Sequence, residues 1–381
     1  FGSSSSPRRA RSCAARRSRE PMASVRPAGR DVQLFNDEIF RQVRAFAQVP
    51  DDFVNEGWDL GKLQNGGGKG GTLMARVGAC YIVKELSKGD HETLLQIAGG
   101  YADHVRDPDT ILCPIYLHFR DKTTGRFFFA MRNAIGSGPF VSLYDLKGCA
   151  DDKLIEKAGE PVKPVHKRVW NVGMWLGKST WSPERRAYFA GKVEARNISI
   201  YLTEDQRARC LRCIERDTKW LAENRLMDYS LLVAIKDVPS ENTASGGRGP
   251  SNVGPSRYVY RGPDGRDVAV HITIIDYLQK WTMGKRVARV IKFAECNKAT
   301  IPPVLYGRRF ARHFKQHLVA LPGSACAEAN ADGDTEGAPR KPANSIAPPA
   351  GDCCAEGQPE ERLNSRPIPD EGGRPVIFTR A

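Results

Sequence analysis

The sequence predicts an α+β fold in two lobes, antiparallel sheets against packed helices, and three observations carry that prediction. Strand-like runs at 79–86, 111–119 and 125–135 surround one helical pattern at 91–105. A long pattern with one apolar face, 203–226, leads straight into the apolar run 229–236. Two further strand-like runs, 258–262 and 266–279, precede a closing helical pattern near 306–318.

Taken in order, residues 1–30 hold eight Arg against the single acid Glu20 and have no hydrophobic period, so they read as a disordered Arg/Ser-rich arm. The chain opens on Phe1, and Met22 is read as a candidate start. A glycine-rich turn lies at 65–71, followed by the runs Met-Ala-Arg-Val and 79–86, in which Lys84 alternates with an expected buried Ile82. Asp121-Lys-Thr-Thr-Gly125 is the turn of a hairpin between 111–119 and 125–135. The 203–226 helix opens Thr203-Glu-Asp, close to a capping box. Residues 239–256, rich in Pro, Gly, Ser and Asn, read as a flexible insert within one catalytic unit spanning 31–319. Residues 320–381 read as a low-complexity tail with ten acids against six bases.

The formal charge is +14, of which about +11 falls on residues 31–319, so an anionic partner is expected of the folded part and not only of the arm. No window approaches the roughly 18 apolar residues that span a bilayer, which leaves peripheral contact as the form any membrane binding would take. Ten cysteines lack metal-site or disulfide spacing, and Cys210-Leu-Arg-Cys213 reads as a structural pair within a helix.

Residues 65–72 can wrap backbone N–H groups around phosphate, because glycine permits positive φ and close approach; Gly66, Gly67, Gly68, Gly70 and Gly71 are the candidates. By itself such a segment is also the turn of a plain hairpin. Lys84, about fifteen residues on, can neutralise nucleotide phosphates or simply face solvent. Asp228, between a helix and a buried strand, and Asp276, ending His-Ile-Thr-Ile-Ile-Asp, each suit a catalytic or Mg²⁺-binding carboxylate or a helix cap. In this order the set matches the parts of phosphoryl transfer: phosphate cradle, lysine, base and metal ligand.

Val-Ser-Leu-Tyr-Asp-Leu-Lys-Gly (141–148), Met-Asp-Tyr-Ser-Leu-Leu (227–232) and Ile-Ile-Asp-Tyr-Leu-Gln (274–279) together resemble the signature blocks of the phosphatidylinositol phosphate kinase family, over about residues 57–316. The resemblance implies a lipid-kinase catalytic domain distantly related to the protein-kinase fold, although His-Arg-Asp, Asp-Phe-Gly and Ala-Pro-Glu are absent. It implies ATP and Mg²⁺ as cofactors and a phosphatidylinositol monophosphate as substrate, with the 4-phosphate converted to the 4,5-bisphosphate. Alternatives are a kinase of the 3- or 5-monophosphate and a catalytically weak phosphoinositide-binding scaffold. Nucleic acid is set aside for want of any binding-motif block. By the same resemblance, Lys84 and the glycine loop bind ATP, Lys147 contacts the transferring phosphate with Asp145 beside it, Asp228 orients or deprotonates the inositol hydroxyl, and Asp276 holds Mg²⁺.

The segment 277–302 corresponds to the activation loop, with Lys285, Arg286, Arg289 and Lys292 meeting lipid. Lys280, Lys285, Arg286, Arg289 and Lys292, interleaved with Trp281, Met283, Val287, Val290 and Ile291, form a basic amphipathic strip suited to an anionic bilayer. The run 163–186 either widens that surface or is partly buried. Ala288 departs from the Glu usual in 4-phosphate 5-kinases and weakens any statement of regiochemistry, and Glu92 is a provisional partner for Lys84. The expected location is cytoplasmic, peripheral on the cytoplasmic face of membranes, with the oligomeric state open.

Overall fold

The computed structural model describes residues 25–60, 63–65, 73–165, 181–238, 257–261, 266–282 and 300–321. The insert 239–256 and the tail from 322 onward lie outside the described residues.

Two six-stranded antiparallel sheets and five α-helices make up the described residues. The first sheet uses β1 (Val32–Leu34), β2 (Gln64–Asn65), β3 (Leu73–Val77), β4 (Tyr81–Leu86), β5 (Ile115–Asp121) and β6 (Phe127–Arg132), in the order β1-β5-β6-β4-β3-β2. Helices α1 (Asp37–Phe46) and α2 (Lys88–Val105) accompany it. The second sheet is built from β7 (Ser142–Leu146), β8 (Lys153–Lys157), β9 (Glu160–Pro161), β11 (Ser230–Val238), β12 (Arg257–Arg261) and β13 (Asp267–Ile275), in the order β12-β13-β11-β7-β8-β9. Around it lie α3 (Pro183–Arg196), α4 (Glu204–Glu223) and α5 (Pro303–His317). A parallel pair joins β10 (Ile200–Leu202) to β14 (Leu318–Ala320).

The helices follow from their apolar spacing. Helix α2 starts at Ser87, whose hydroxyl accepts the Asp90 N–H, and buries Leu94, Ile97, Ala98, Tyr101, Ala102 and Val105 along one stripe. Helix α4 starts on a true capping box, but Gln206 rather than an acid closes it with Thr203. Helices α4 and α5 approach closely because residue 307 is Gly: a Cβ there would lie 3.2 Å from the Thr218 carbonyl. Cys210 and Cys213 are fully buried on α4, and burial pushes both thiols up to about 12, as packing residues behave.

Several expectations change. The arm assigned to 1–30 ends earlier: Pro27 is buried and Ala28 N–H donates to the Val54 carbonyl at 2.9 Å, so the chain is already anchored to the fold there. The tail assigned from 320 starts later, since Ala320 is in β14 and Leu321 N–H donates to Leu202 O. The strand expected from 111 begins at Ile115, because Pro114 has no N–H to give a ladder. Val83, not Ile82, is the fully buried neighbour of Lys84; it packs with Val77, Leu117 and Phe128 on the opposite face of the first sheet. Helices α1 and α3 have no counterpart in the sequence reading, although Asp37-Glu38 and Ser182-Pro183-Glu184 are ordinary helix starts.

Between the sheets, residues 111–115 run beside β13. Ile274 N–H donates to Ile111 O at 2.8 Å and Cys113 N–H to Ile274 O at 2.9 Å. Asp217, fully buried on α4, holds the start of this linker: it accepts Ile111 N–H and Thr110 Oγ1 at 2.8 Å each, and meets His104 Nε2 of α2 at 2.7 Å. Replacing Asp217 with Ala strands three polar groups in the core and is expected to cost about 3 kcal/mol, with Asn costing less because its oxygen still accepts. Urea unfolding midpoints of the two variants check this.

Candidate active site

Strand β11 is central in the second sheet, and its two ladders bring the signature residues together. Ser230 pairs with Ile275 of β13, and Leu231 with Leu146 of β7. One residue beyond those ends stand Asp276 and Lys147, and two residues before Ser230 stands Asp228. Three sequence-distant residues therefore meet at one end of three adjacent strands, as antiparallel register requires.

Both aspartates have left-handed backbone, φ 65° at Asp228 and 58° at Asp276, a conformation that persists in a non-glycine residue only where its surroundings impose it. A buried tyrosine follows each. Tyr229 packs edge-on against Tyr306 and Phe310 of α5 and gives its carbonyl to the Tyr306 hydroxyl at 2.5 Å. Tyr277 is buried against Tyr101 of α2. The residues before Asp228 and after Asp276 pair with each other, Met227 N–H to Gln279 O and Trp281 N–H to Arg225 O, both at 2.9 Å.

Lysines close on both carboxylates. Lys147 Nζ donates to the Asp228 carbonyl at 2.6 Å and also to its carboxylate Oδ1. Lys84, paired in β4 with Met74 of β3 and Phe129 of β6, reaches from the first sheet to Asp276 Oδ1 at 2.5 Å. Its partner is thus Asp276, while Glu92, the provisional partner, is exposed on α2. The Asp276 side chain is 48% exposed against 28% for Asp228, so the two carboxylates face different degrees of solvent.

Sequence reasoning passed over the support beneath Lys147. Asp152 Oδ1 accepts the Lys147 N–H at 2.6 Å and the Cys149 N–H at 3.3 Å, which fixes the turn after β7. Burial raises the Asp152 carboxyl, partly offset by those N–H groups. Burial alone would also raise Asp145, but Lys153, 3.2 Å away, and Lys147 outweigh it and hold the carboxyl below its ordinary value. Asp152, five residues beyond Lys147, reaches back to the N–H groups of the preceding turn, and a carboxylate shortly after such a turn was the available signal.

The gathered set is Lys84, Lys147, Asp228 and Asp276, with Asp145 alongside. Gly66, Gly67, Gly68, Gly70 and Gly71 lie outside the described residues; the strands flanking them, β2 and β3, pair antiparallel. Lys285, Arg286, Arg289, Lys292 and Ala288 also lie outside them. Trp281, expected on the lipid-facing strip, is instead buried in the main core, and Lys280 bonds Gln96 of α2. Among the described residues no cluster of three or more His, Cys, Asp or Glu could hold a metal ion. A lone half-exposed carboxylate such as Asp276 nonetheless fits Mg²⁺, which takes one or two protein carboxylates and completes its octahedron with water and phosphate oxygens. No helix among the described residues is long and apolar enough to cross a membrane.

Comparison with known proteins bears on this constellation. A family model described as Phosphatidylinositol-4-phosphate 5-Kinase matches residues 59–258. Phosphatidylinositol 4-phosphate 5-kinase 4 of Arabidopsis thaliana is 26% identical over 56% of this chain and 26% of its own length. A putative 1-phosphatidylinositol 3-phosphate 5-kinase of Drosophila melanogaster is 21% identical over 67% of this chain and 12% of its own. Phosphatidylinositol 5-phosphate 4-kinase type-2 gamma of Danio rerio is 23% identical over 56% of this chain and 47% of its own. The chain therefore spans less than half the length of each of these curated relatives.

The turn that carries Lys147 offers a stability test. Gly148 has φ +65°, and a Cβ there would lie 3.0 Å from His313 Cβ on α5. Gly78 has nearly the same φ, +58°, with open space around it. Gly78→Ala is expected to cost about 1 kcal/mol from backbone strain alone, and Gly148→Ala about 2 to 3 kcal/mol. Chemical denaturation of both variants measures the difference, which reports the helix contact.

Proposed function

The chain belongs to the phosphatidylinositol phosphate kinase family, and on that premise we propose that it transfers the γ-phosphate of ATP to the inositol ring of a phosphatidylinositol monophosphate. The observation that carries the reading is the paired arrangement at the end of the second sheet, Lys147 on Asp228 and Lys84 on Asp276. Those are the residue types that loose phosphoryl-transfer transition states call for, since positioning and charge neutralisation supply most of the catalysis.

In this reading Asp228 takes the inositol hydroxyl as hydrogen-bond donor and accepts its proton as the oxygen attacks. Lys147, bonded to both the carbonyl and carboxylate of Asp228, is close enough to the same site to neutralise charge on the phosphoryl oxygens. Lys84 steadies the nucleotide phosphates, a role it is proposed to share with the glycine segment 66–71. Asp276 would hold Mg²⁺, which when bound would supply positive charge against that of the nucleotide phosphates. The whole is proposed as a two-lobed relative of the protein-kinase fold, with the first sheet and α2 as one lobe and the second sheet with α3 to α5 as the other. Membrane contact is assigned to the basic residues beyond position 282, among them Lys285, Arg286, Arg289 and Lys292, because Lys280 and Trp281 are engaged within the fold. The proposed location is accordingly peripheral, on the cytoplasmic face of membranes.

The 4-phosphate is the proposed substrate, after the description of the matching family model. Ala288 and the likeness to a 5-phosphate 4-kinase favour the 5-phosphate as a second reading. Liposomes carrying phosphatidylinositol or its 3-, 4- or 5-monophosphate, incubated with labelled ATP and Mg²⁺, decide between them. The expected outcome is labelled 4,5-bisphosphate from one monophosphate, with Asp228→Asn and Asp276→Asn each lowering the rate at least about 100-fold. Absence of transfer to all four lipids, with liposome binding retained, would leave a phosphoinositide-binding scaffold.

A further inference from the structure

Asp276 is displayed by a turn whose two sides are tied to one residue, Cys113. On the strand side, Ile274 O accepts the Cys113 N–H at 2.9 Å. On the far side, the Tyr277 hydroxyl donates to Cys113 O at 2.6 Å. Cys113 thus grips residues 274 and 277 from the linker between the sheets, and the segment between them arches out to present Asp276 with φ 58°. A second tyrosine completes the tie. Tyr101 of α2 accepts the Ile115 N–H at 2.6 Å, and its hydroxyl lies 3.0 Å from that of Tyr277. Because the Tyr277 proton is committed to Cys113 O, the bond between the two hydroxyls runs from Tyr101 to Tyr277. Tyr101 and Tyr277 are both buried, so these bonds face little competition from water.

We propose that the Tyr277 hydroxyl is a positioning group for Asp276: by fixing the far side of its turn to the Cys113 peptide, it holds the carboxylate where a divalent cation is bound. The inference rests on the proposed function, which makes Asp276 the metal-binding carboxylate. Tyr277 itself touches neither substrate nor cation. Its action is indirect, as groups that orient a metal's carboxylate ligand act, and removal of such groups commonly costs 10- to 100-fold in metal affinity.

Tyr277→Phe deletes the hydroxyl and keeps the ring. The test measures Mn²⁺ binding by electron paramagnetic resonance, in the presence of a non-hydrolysable ATP analogue, on the full chain and on Tyr277→Phe, Asp276→Asn and Tyr306→Phe. Tyr306→Phe is the control: it also removes one buried hydroxyl bond, to Tyr229 O, but on the Asp228 side. The expected result is Mn²⁺ affinity about tenfold weaker in Tyr277→Phe, within about twofold of the parent in Tyr306→Phe, and a matching rise in the Mg²⁺ concentration that half-saturates phosphate transfer. Thermal unfolding shows whether the two tyrosine variants are comparably folded. Equal Mn²⁺ affinity in Tyr277→Phe and the parent, or equal weakening in Tyr277→Phe and Tyr306→Phe, overturns the proposal. Binding that Asp276→Asn leaves unchanged overturns the metal assignment itself, and the inference with it.

Discussion

The pairing of β11 with β7 on one side and β13 on the other is the constraint on which the candidate site depends. Side chains and strand ends are locked to register, and a slip of one residue in either ladder would turn every apolar side chain of β11 to the wrong face. Leu231 and Val233, both fully buried, face the main core, while Ala234 belongs to the small cluster with Phe140 and Leu143. Burial thus sets the register, and the register in turn sets Lys147, Asp228 and Asp276 side by side. The geometry of the candidate site is a consequence of hydrophobic packing several residues away.

Register brings strand ends together but does not shape them. That task falls to tyrosines next in sequence to the two aspartates. Tyr229 is held by the aromatic face of α5, and Tyr277 by the linker and α2. Each lets a non-glycine residue keep a left-handed backbone that would otherwise relax at a gain of about 1 to 3 kcal/mol. The two anchors differ in origin, one within the helical part that carries the second sheet and one bridging to the first sheet. Asp276 therefore answers to both sheets, whereas Asp228 answers to one.

How far the sequence revealed this follows the same physics. Long apolar periods were legible: α2, α4, α5 and the strands β11, β12 and β13 stand where their patterns put them, because burying a continuous stripe dominates local structure, whereas β7, β8 and β9 of the same sheet were not read as strands. The signature residues Lys84, Lys147, Asp228 and Asp276 were legible through the resemblance, and the fold does converge them. What spacing could not reveal were interactions made at a distance. Arg44, buried on α1 between Asp37, Asp51 and the Tyr116 carbonyl, looks like a surface charge in a linear reading. Trp281 looked like a membrane-facing residue because its neighbours are basic, yet its own backbone pairs with Arg225 and its ring enters the core. Pairing of Lys84 with Asp276 links residues from different sheets and leaves no trace in local pattern.

That pairing also bears on how such a site can bind anions. Four charged side chains stand as two near-neutral couples, Lys147 with Asp228 and Lys84 with Asp276, so neither the half-buried lysines nor the carboxylates are desolvated without a partner. Under the proposed function, a phosphate arriving between Lys84 and Asp276 would compete with the carboxylate for the ammonium and, as it took the lysine, would free a carboxylate oxygen for a cation. Lys147 differs, because it bonds the Asp228 carbonyl as well as its carboxylate and so keeps a protein partner when the carboxylate turns to a hydroxyl. Under the proposed function, the more exposed couple would exchange partners and the more enclosed one would hold its geometry while a proton moves.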